Sequence, residues 1–370
     1  MTRNAVSDAL HEAVRAFANG QGARSFEDLA LEIAHFQRDF SAGFARLVAA
    51  RGRPLQAVEN IPGVPCDAFR LTRVAVHPES EDCLRFGTSG TTSGARGWHA
   101  MRTAATYRAL ALNFGRRALI AGTGPVRVVA LAPCLDQPPS SSLGYMMHLF
   151  MLDFEQLGDV DLRTPARWLL NDGGVDVAEL ERAAQLARER GESLLVLATS
   201  FALVGLLDAL AGRALALPAS SVVMQTGGFK GKSREIAPDE LRRDVAGAFG
   251  IDPSRVISEY GMTELTSQLY EATLPGSALA TERRGSPGVY CEPPWLRVIP
   301  VDPITLEPVA PGEVGIARIV DLGNVDSAVA IQTQDRVRRV PGGIELLGRA
   351  PGAMPRGCSL AIEEFLAGRT

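Results

Sequence analysis

Three hundred and seventy residues exceed a small binding module and suit two or three subdomains around a sizeable core. With 46% hydrophobic and 22% charged residues the composition is that of a packed domain, which excludes disorder, collagen and coiled coil. A net charge of −4 without a long basic run speaks against nucleic acid, and the longest nearly apolar stretch, 14 residues at 194–207, is too short to cross a bilayer.

The N-terminus is amphipathic and lacks the apolar core of a signal peptide, so the chain is expected to be cytoplasmic. Residues 4 to 50 read as two or three amphipathic helices, ended by the turn Ile61-Pro62-Gly63-Val64-Pro65. A short strand at 83–86 enters a glycine-rich loop, which lies between that strand and a helix at 103–120. An apolar strand at 126–132 follows, and Ser140 to Ser142 open the next helix. The pattern continues with a strand at 194–198, Ser200 as N-cap, a helix at 201–212, strands at 222–225 and 255–258, and a helix at 238–249 between them. Continuous apolar strands separated by helices imply a parallel sheet covered on both faces. From about residue 285, short runs at 296–300, 315–321, 328–332 and 344–347 between Pro and Gly turns indicate an antiparallel subdomain. The expected division is a helical lead-in at 1–82, an α/β core at 83–284, a β-rich subdomain at 285–347, and a hinge remnant and tail at 348–370.

Five cysteines, at 66, 83, 134, 291 and 358, show no CxxC spacing and form neither a disulfide frame nor a zinc site. Cys66, Cys83, Cys134 and Cys291 read as packing residues. Only two of the 38 basic residues are lysines, Lys230 and Lys232, both in Gly227-Gly228-Phe229-Lys230-Gly231-Lys232. A compact ammonium there is not interchangeable with a guanidinium. The stretch Thr88-Ser89-Gly90-Thr91-Thr92-Ser93-Gly94-Ala95-Arg96-Gly97 combines hydroxyls, flexible glycines and a cation, the chemistry that wraps phosphate oxygens. No Gly-Lys-Ser/Thr follows, which separates it from a P-loop. At the end of the 255–258 strand, Ser258-Glu259-Tyr260-Gly261-Met262-Thr263-Glu264 offers a ring for a base, a hydroxyl for a phosphate and, in Glu264, an oxygen ligand for Mg²⁺. The run Met146-Met147 with Leu149, Phe150 and Met151 suits an apolar pocket wall, although adaptable core is equally compatible with it.

Taken together these stretches resemble the adenylate-forming superfamily. Residues 88–97 look like its phosphate loop and Tyr260-Gly261-Met262-Thr263-Glu264 like its Tyr-Gly-x-Thr-Glu motif. Thr333-Gln334-Asp335 stands where the family has Thr-Gly-Asp, and Gly227-Gly228 resembles the glycine pair beside the adenine. The chain departs from the pattern in Arg96 for the usual Lys, in Gln334 for Gly, and in Pro351 for the hinge Asp after Gly348-Arg349. The expected fold is the α/β large N-terminal domain of such enzymes, parallel sheets covered by helices plus a small antiparallel subdomain. The C-terminal domain of roughly a hundred residues that typical members carry is expected to be largely missing, and with it the lysine it supplies.

Among these enzymes the chain is most similar to the acyl-protein synthetases of the bacterial bioluminescence fatty-acid reductase complex, in which a cysteine near the C-terminus receives the acyl group. Cys358 in Arg356-Gly357-Cys358-Ser359-Leu360 matches that acceptor. The resemblance implies ATP and Mg²⁺ as cofactors, a fatty or other apolar carboxylic acid as substrate, and a reductase or acyl-carrier thiol as partner. Glu264 would hold Mg²⁺, Lys230 would screen the approach of carboxylate to phosphate, and Asp335 would bind the ribose. Thr88 to Ser93, Arg96, Gly227, Gly228, Tyr260, Gly261, Thr263 and Arg349 complete the expected nucleotide contacts. Release of the acyl group to coenzyme A or a carrier without self-acylation, and a non-catalytic nucleotide-binding scaffold, remain open alternatives.

Overall fold

The computed structural model describes residues 1–88, 96–157, 162–227, 236–283, 285–350 and 356–366. The chain forms two compact units, one of Met1–Asn113, Met262–Gln268 and Glu292–Thr370, the other of Phe114–Gly261 and Leu269–Cys291. No described helix is long and apolar enough to cross a membrane.

The second unit carries the expected parallel sheet. Strands Val126–Leu131, Ser193–Thr199, Val222–Thr226 and Val256–Tyr260 lie side by side in that order, with Val196, Val223 and Val256 in register. Leu269–Glu271 and Val289–Cys291 then add antiparallel. Helices Val177–Arg190, Ser200–Leu210 and Pro238–Phe249 press Leu180, Leu203, Leu206, Val245 and Phe249 onto Val129, Leu131, Val196 and Val223. Intervening strand residues such as Val128, Leu195 and Leu197 are equally buried, which is why these strands read as unbroken apolar runs. Met146, Met147, Leu149, Phe150 and Met151 of the helix Ser142–Phe154 are core residues. Phe150 stacks on Phe154, and the Tyr270 hydroxyl meets the Met146 sulfur at 3.9 Å.

One local reading is corrected here and one helix is added. The cap of Ser200–Leu210 is Thr199, whose hydroxyl accepts from the Ala202 amide, because the Ser200 hydroxyl instead donates to the Gly227 carbonyl at 2.6 Å. The helix Val177–Arg190 goes unread in the sequence, although Asp176 caps its start and Gly191 its end.

The first unit opens with three helices, Arg3–Ala18, Phe26–Phe40 and Ala42–Arg51. Its antiparallel sheet runs Leu296–Val301, Val314–Asp321, Ala330–Val340 and Gly343–Arg349. The third strand is longer than the 328–332 reading and carries Thr333, Gln334 and Asp335 within it, because charged residues on its outer positions hide the alternation. The Ile61-to-Pro65 turn also ends in structure: Val64–Pro65 adds parallel to that strand at Ile331 and Gln332. Proline is tolerated here because the pairing is only two residues long.

The glycine-rich loop does not join a strand to a helix. It connects a hairpin, Leu84–Gly87 with Trp98–Met101, whose second strand is four residues long and mostly buried and so leaves no period in the sequence. Nor are all four cysteines packing residues, since Cys83 and Cys134 are exposed, Cys66 half-buried and Cys291 buried. The C-terminal segment is the helix Arg356–Leu366, with Ala361, Ile362 and Phe365 buried. Arg46 donates to the Phe365 carbonyl at 2.6 Å, and Arg51 faces Glu364 at 3.3 Å.

Candidate active site

In the first unit the site is built around the turn that carries Glu264. The Glu264 carbonyl accepts from Asn324 Nδ2 at 2.9 Å, and Asn324 Oδ1 accepts from the Thr266 hydroxyl at 2.7 Å. Asp321 lies beneath, accepting from the amides of Thr266, Ser267 and Gly323 at 2.9 Å and from the Ser267 hydroxyl at 2.8 Å. Burial pushes the Asp321 carboxyl up to about 6, and these donors hold it against a larger rise. It therefore remains a carboxylate at neutral pH, as four donors demand.

His99 pins the other side of the turn. Because a carbonyl only accepts, imidazole Nδ1 carries the proton and donates to the Thr263 carbonyl at 2.7 Å, while Nε2 accepts from the Ser327 hydroxyl at 3.0 Å. Burial pushes this imidazole down to about 4, so it is neutral and its tautomer is fixed by the two bonds. His99 sits on the Trp98–Met101 strand, two residues past the loop. It ties the hairpin of the glycine-rich loop to the Thr263–Glu264 backbone. Gln37 of the second helix braces the same region, donating to the carbonyls of Asn324 and Val325 at 2.7 and 2.9 Å and accepting from the Val329 amide.

Glu264 itself is 8% exposed. Its charge is felt at the half-buried Cys66 thiol, which burial foremost, and then Glu264, Asp335 and Asp67, push well above its ordinary range, with Arg349 opposing. Asp335 lies at an irregularity of its strand, opposite Arg349, whose Nε stands 3.4 Å from the carboxylate. Arg349 is mostly exposed, so this pair is weak and open to exchange for a ligand. Gln334, in the place of the resembled glycine, reaches the Asp67 carboxylate at 3.1 Å.

At the neck of the loop the Thr88 amide donates to the Gly97 carbonyl at 2.9 Å, and the Thr88 hydroxyl accepts from the Gly97 amide at 3.0 Å. Arg85 and Arg96 flank the Trp98 ring at 5.3 and 6.0 Å. Ser89, Gly90, Thr91, Thr92 and Ser93 lie outside the described residues, as do Gly228, Lys230 and Lys232. Cys358 falls in the first turn of the helix Arg356–Leu366, and its side chain lies outside the description.

The second unit holds Gly227, Tyr260 and Gly261. Gly227 has φ +73°, a conformation costly for any residue with a side chain, as its strand ends. The Tyr260 ring meets Tyr290 edge to face, with centroids 6.3 Å apart. Next to Tyr260, the buried Glu259 accepts from the Thr226 hydroxyl. Burial pushes its carboxyl up to about 7. In the first unit His99, Asn324, Asp321 and Gln37 support the turn and are not singled out in the sequence, where each is an ordinary polar residue.

Solved structures share this architecture. An open form of 2-hydroxyisobutyryl-CoA ligase in complex with 2-HIB-AMP and CoA matches with a TM-score of 0.56 and 14% identity over 88% of this chain and 75% of the ligase. The same ligase with these ligands in its thioesterification state gives 0.58 and 14% over 86% of this chain and 66% of the ligase. The fold is that of the matched part of these ligases. The chain spans two thirds to three quarters of those ligases. No protein-family model and no curated protein matches the sequence.

Proposed function

We propose that this protein activates a carboxylic acid with ATP and transfers the acyl group to a thiol. The observation that carries the reading is the turn of Thr263 and Glu264, whose backbone is fixed by His99, Asn324 and Asp321, in the same unit as Asp335. The fold supports it, since the ligases that share it hold an acyl-AMP and CoA.

In the first step a carboxylate oxygen attacks the α-phosphorus of ATP and pyrophosphate leaves, giving an acyl adenylate. Repulsion between the anion and the triphosphate dominates the barrier, so fixed cations and dipoles are what the site must supply. Arg96 and the amides of the loop would face the phosphates, Lys230 the approaching carboxylate, Asp335 the ribose hydroxyls, and Tyr260 with Gly227, Gly228 and Gly261 the base. Arg349 and Thr263 complete the contacts. Glu264 fits Mg²⁺ as a hard oxygen donor held by its own backbone, the regime in which magnesium keeps water and takes its other ligands from phosphate. When bound, the ion would neutralise phosphate charge. In the second step a thiolate attacks the acyl carbonyl and AMP leaves.

The acceptor we favour is Cys358, in the manner of an acyl-protein synthetase, with onward transfer to a reductase or carrier thiol. Its place in a first helical turn puts it where the helix dipole favours an anion. Coenzyme A as direct acceptor is the second reading, motivated by the CoA in the ligase structures. Intact-mass measurement with ATP, Mg²⁺ and a fatty acid separates them. Wild type should gain one acyl mass that hydroxylamine removes, whereas Cys358→Ser should release pyrophosphate yet gain none. A Ser variant acylated like wild type, or CoA turnover without protein acylation, replaces the first reading by the second.

A further inference from the structure

The first unit contains a cavity that the proposed chemistry does not use. Its volume is about 40 Å³, and its walls include Arg51, Arg53, Glu59, Glu307, Arg318 and Gln332. Arg53 already pairs with Glu307 at 2.7 Å, and Arg51 with Glu364 at 3.3 Å. Arg318 differs from both. It rises from the sheet opposite Gln332, and its stem lies so close to Gly63 that a Cβ there would sit 3.2 Å from it. Only 5% of Arg318 is exposed, and among the described residues its Nε and Nη2 have no hydrogen-bond partner.

Those two atoms form one edge of the guanidinium, a pair of parallel donors that matches two oxygens of a single oxyanion. Three guanidinium groups against the carboxylates of Glu59 and Glu307 leave the walls net positive. The Gln332 carboxamide turns its donors to the carbonyls of Ala317 and Thr333, leaving its buried Oε1 without a partner among the described residues. A ligand that satisfies both walls therefore offers two adjacent acceptors and one hydroxyl donor. A carboxylate or sulfate at neutral pH has the acceptors and no donor, whereas a protonated phosphate has both. Burial pushes Arg318 down to about 10, which leaves it charged at neutral pH.

We propose that this cavity binds a protonated phosphate group, with Nε and Nη2 of Arg318 gripping two oxygens and Gln332 Oε1 accepting the phosphate hydroxyl. The phosphate is either the free ion or the end of a phosphomonoester.

Equilibrium dialysis of the full chain with radiolabelled inorganic phosphate, at pH 7 and constant chloride, tests this. Wild type should bind one equivalent more than Arg318→Met, a variant that removes the buried guanidinium and keeps an unbranched apolar stem. Arg318→Lys, which keeps the charge and loses the fork, should weaken that equivalent at least tenfold, and sulfate should compete more weakly than phosphate. Competition by glycerol phosphate equal to that of the free ion identifies a tethered phosphate as the natural ligand, and failure to compete identifies the free ion. The proposal is overturned if wild type binds no saturable equivalent, if Arg318→Met binds as wild type does, or if sulfate competes equally. Thermal unfolding of both variants confirms that a lost equivalent reflects the site rather than the fold.

Discussion

The main chain at Glu264 has partners of its own. Asn324 grips the Glu264 carbonyl, and Asp321 and His99 grip its neighbours. Glu264→Gln should therefore keep the fold and lose pyrophosphate release by roughly 10²-fold, the scale of removing one electrostatic contact from developing charge. Wild-type release at ordinary Mg²⁺ would remove Glu264 from the site. The motif around Glu264 is legible in the sequence because its residue types are unusual and adjacent. Its supports are illegible there: Asp321 and Asn324 lie more than fifty residues away and His99 more than one hundred and fifty, and each is an ordinary residue whose meaning comes only from what it touches.

Two elements carry consequences of their own. The hairpin of Leu84–Gly87 and Trp98–Met101 bears the glycine-rich loop at one end and His99 within its second strand. His99→Ala leaves the Thr263 carbonyl and the Ser327 hydroxyl without their partner. It should lower kcat for adenylation about tenfold with little change in KM for ATP, because it loosens the turn rather than removing a ligand. His99→Asn, whose Nδ2 stands near the place of imidazole Nδ1, should recover most of the loss, and equal defects in Ala and Asn variants would show that the bond to Thr263 is not what matters. The C-terminal helix was hidden by Pro351, Gly352, Pro355 and Gly357, which read as a tail, while its apolar face is only Ala361, Ile362 and Phe365. Phe365 is buried over Gly43, so Phe365→Ala should cost about 3 kcal/mol of stability. If Cys358 is the acceptor, the loosened helix should also slow acyl transfer more than adenylation. Urea unfolding and single-turnover acylation check the two halves separately.

At the scale of the molecule, buried ionisable groups respond to pH in opposite directions. The His99 imidazole is near 4 in the folded chain and 6.5 in its unperturbed state, so the unfolded chain takes up the proton first and this residue favours folding increasingly as pH rises from about 4 to 6.5. Asp321, raised to about 6, and Glu259, raised to about 7, do the reverse. Between their ordinary and folded values the folded chain holds the proton more tightly, so stability from these residues is present at acid pH and is lost as pH climbs. Glu259 extends furthest toward neutrality and belongs to the second unit, where Thr226 donates to it in either protonation state. Glu259→Gln keeps that acceptor and cannot ionise. The stability of Glu259→Gln relative to wild type should therefore grow from pH 4 to pH 8 by about 3 kcal/mol, from a difference of roughly 2.5 pH units at 1.36 kcal/mol each. In urea titrations at pH 4.5, 6 and 8, the gain should appear in the transition of the unit that carries residue 259. A difference that stays constant across this range would mean that Glu259 titrates in the folded chain as it does in the unfolded one, with burial too weak to hold its proton.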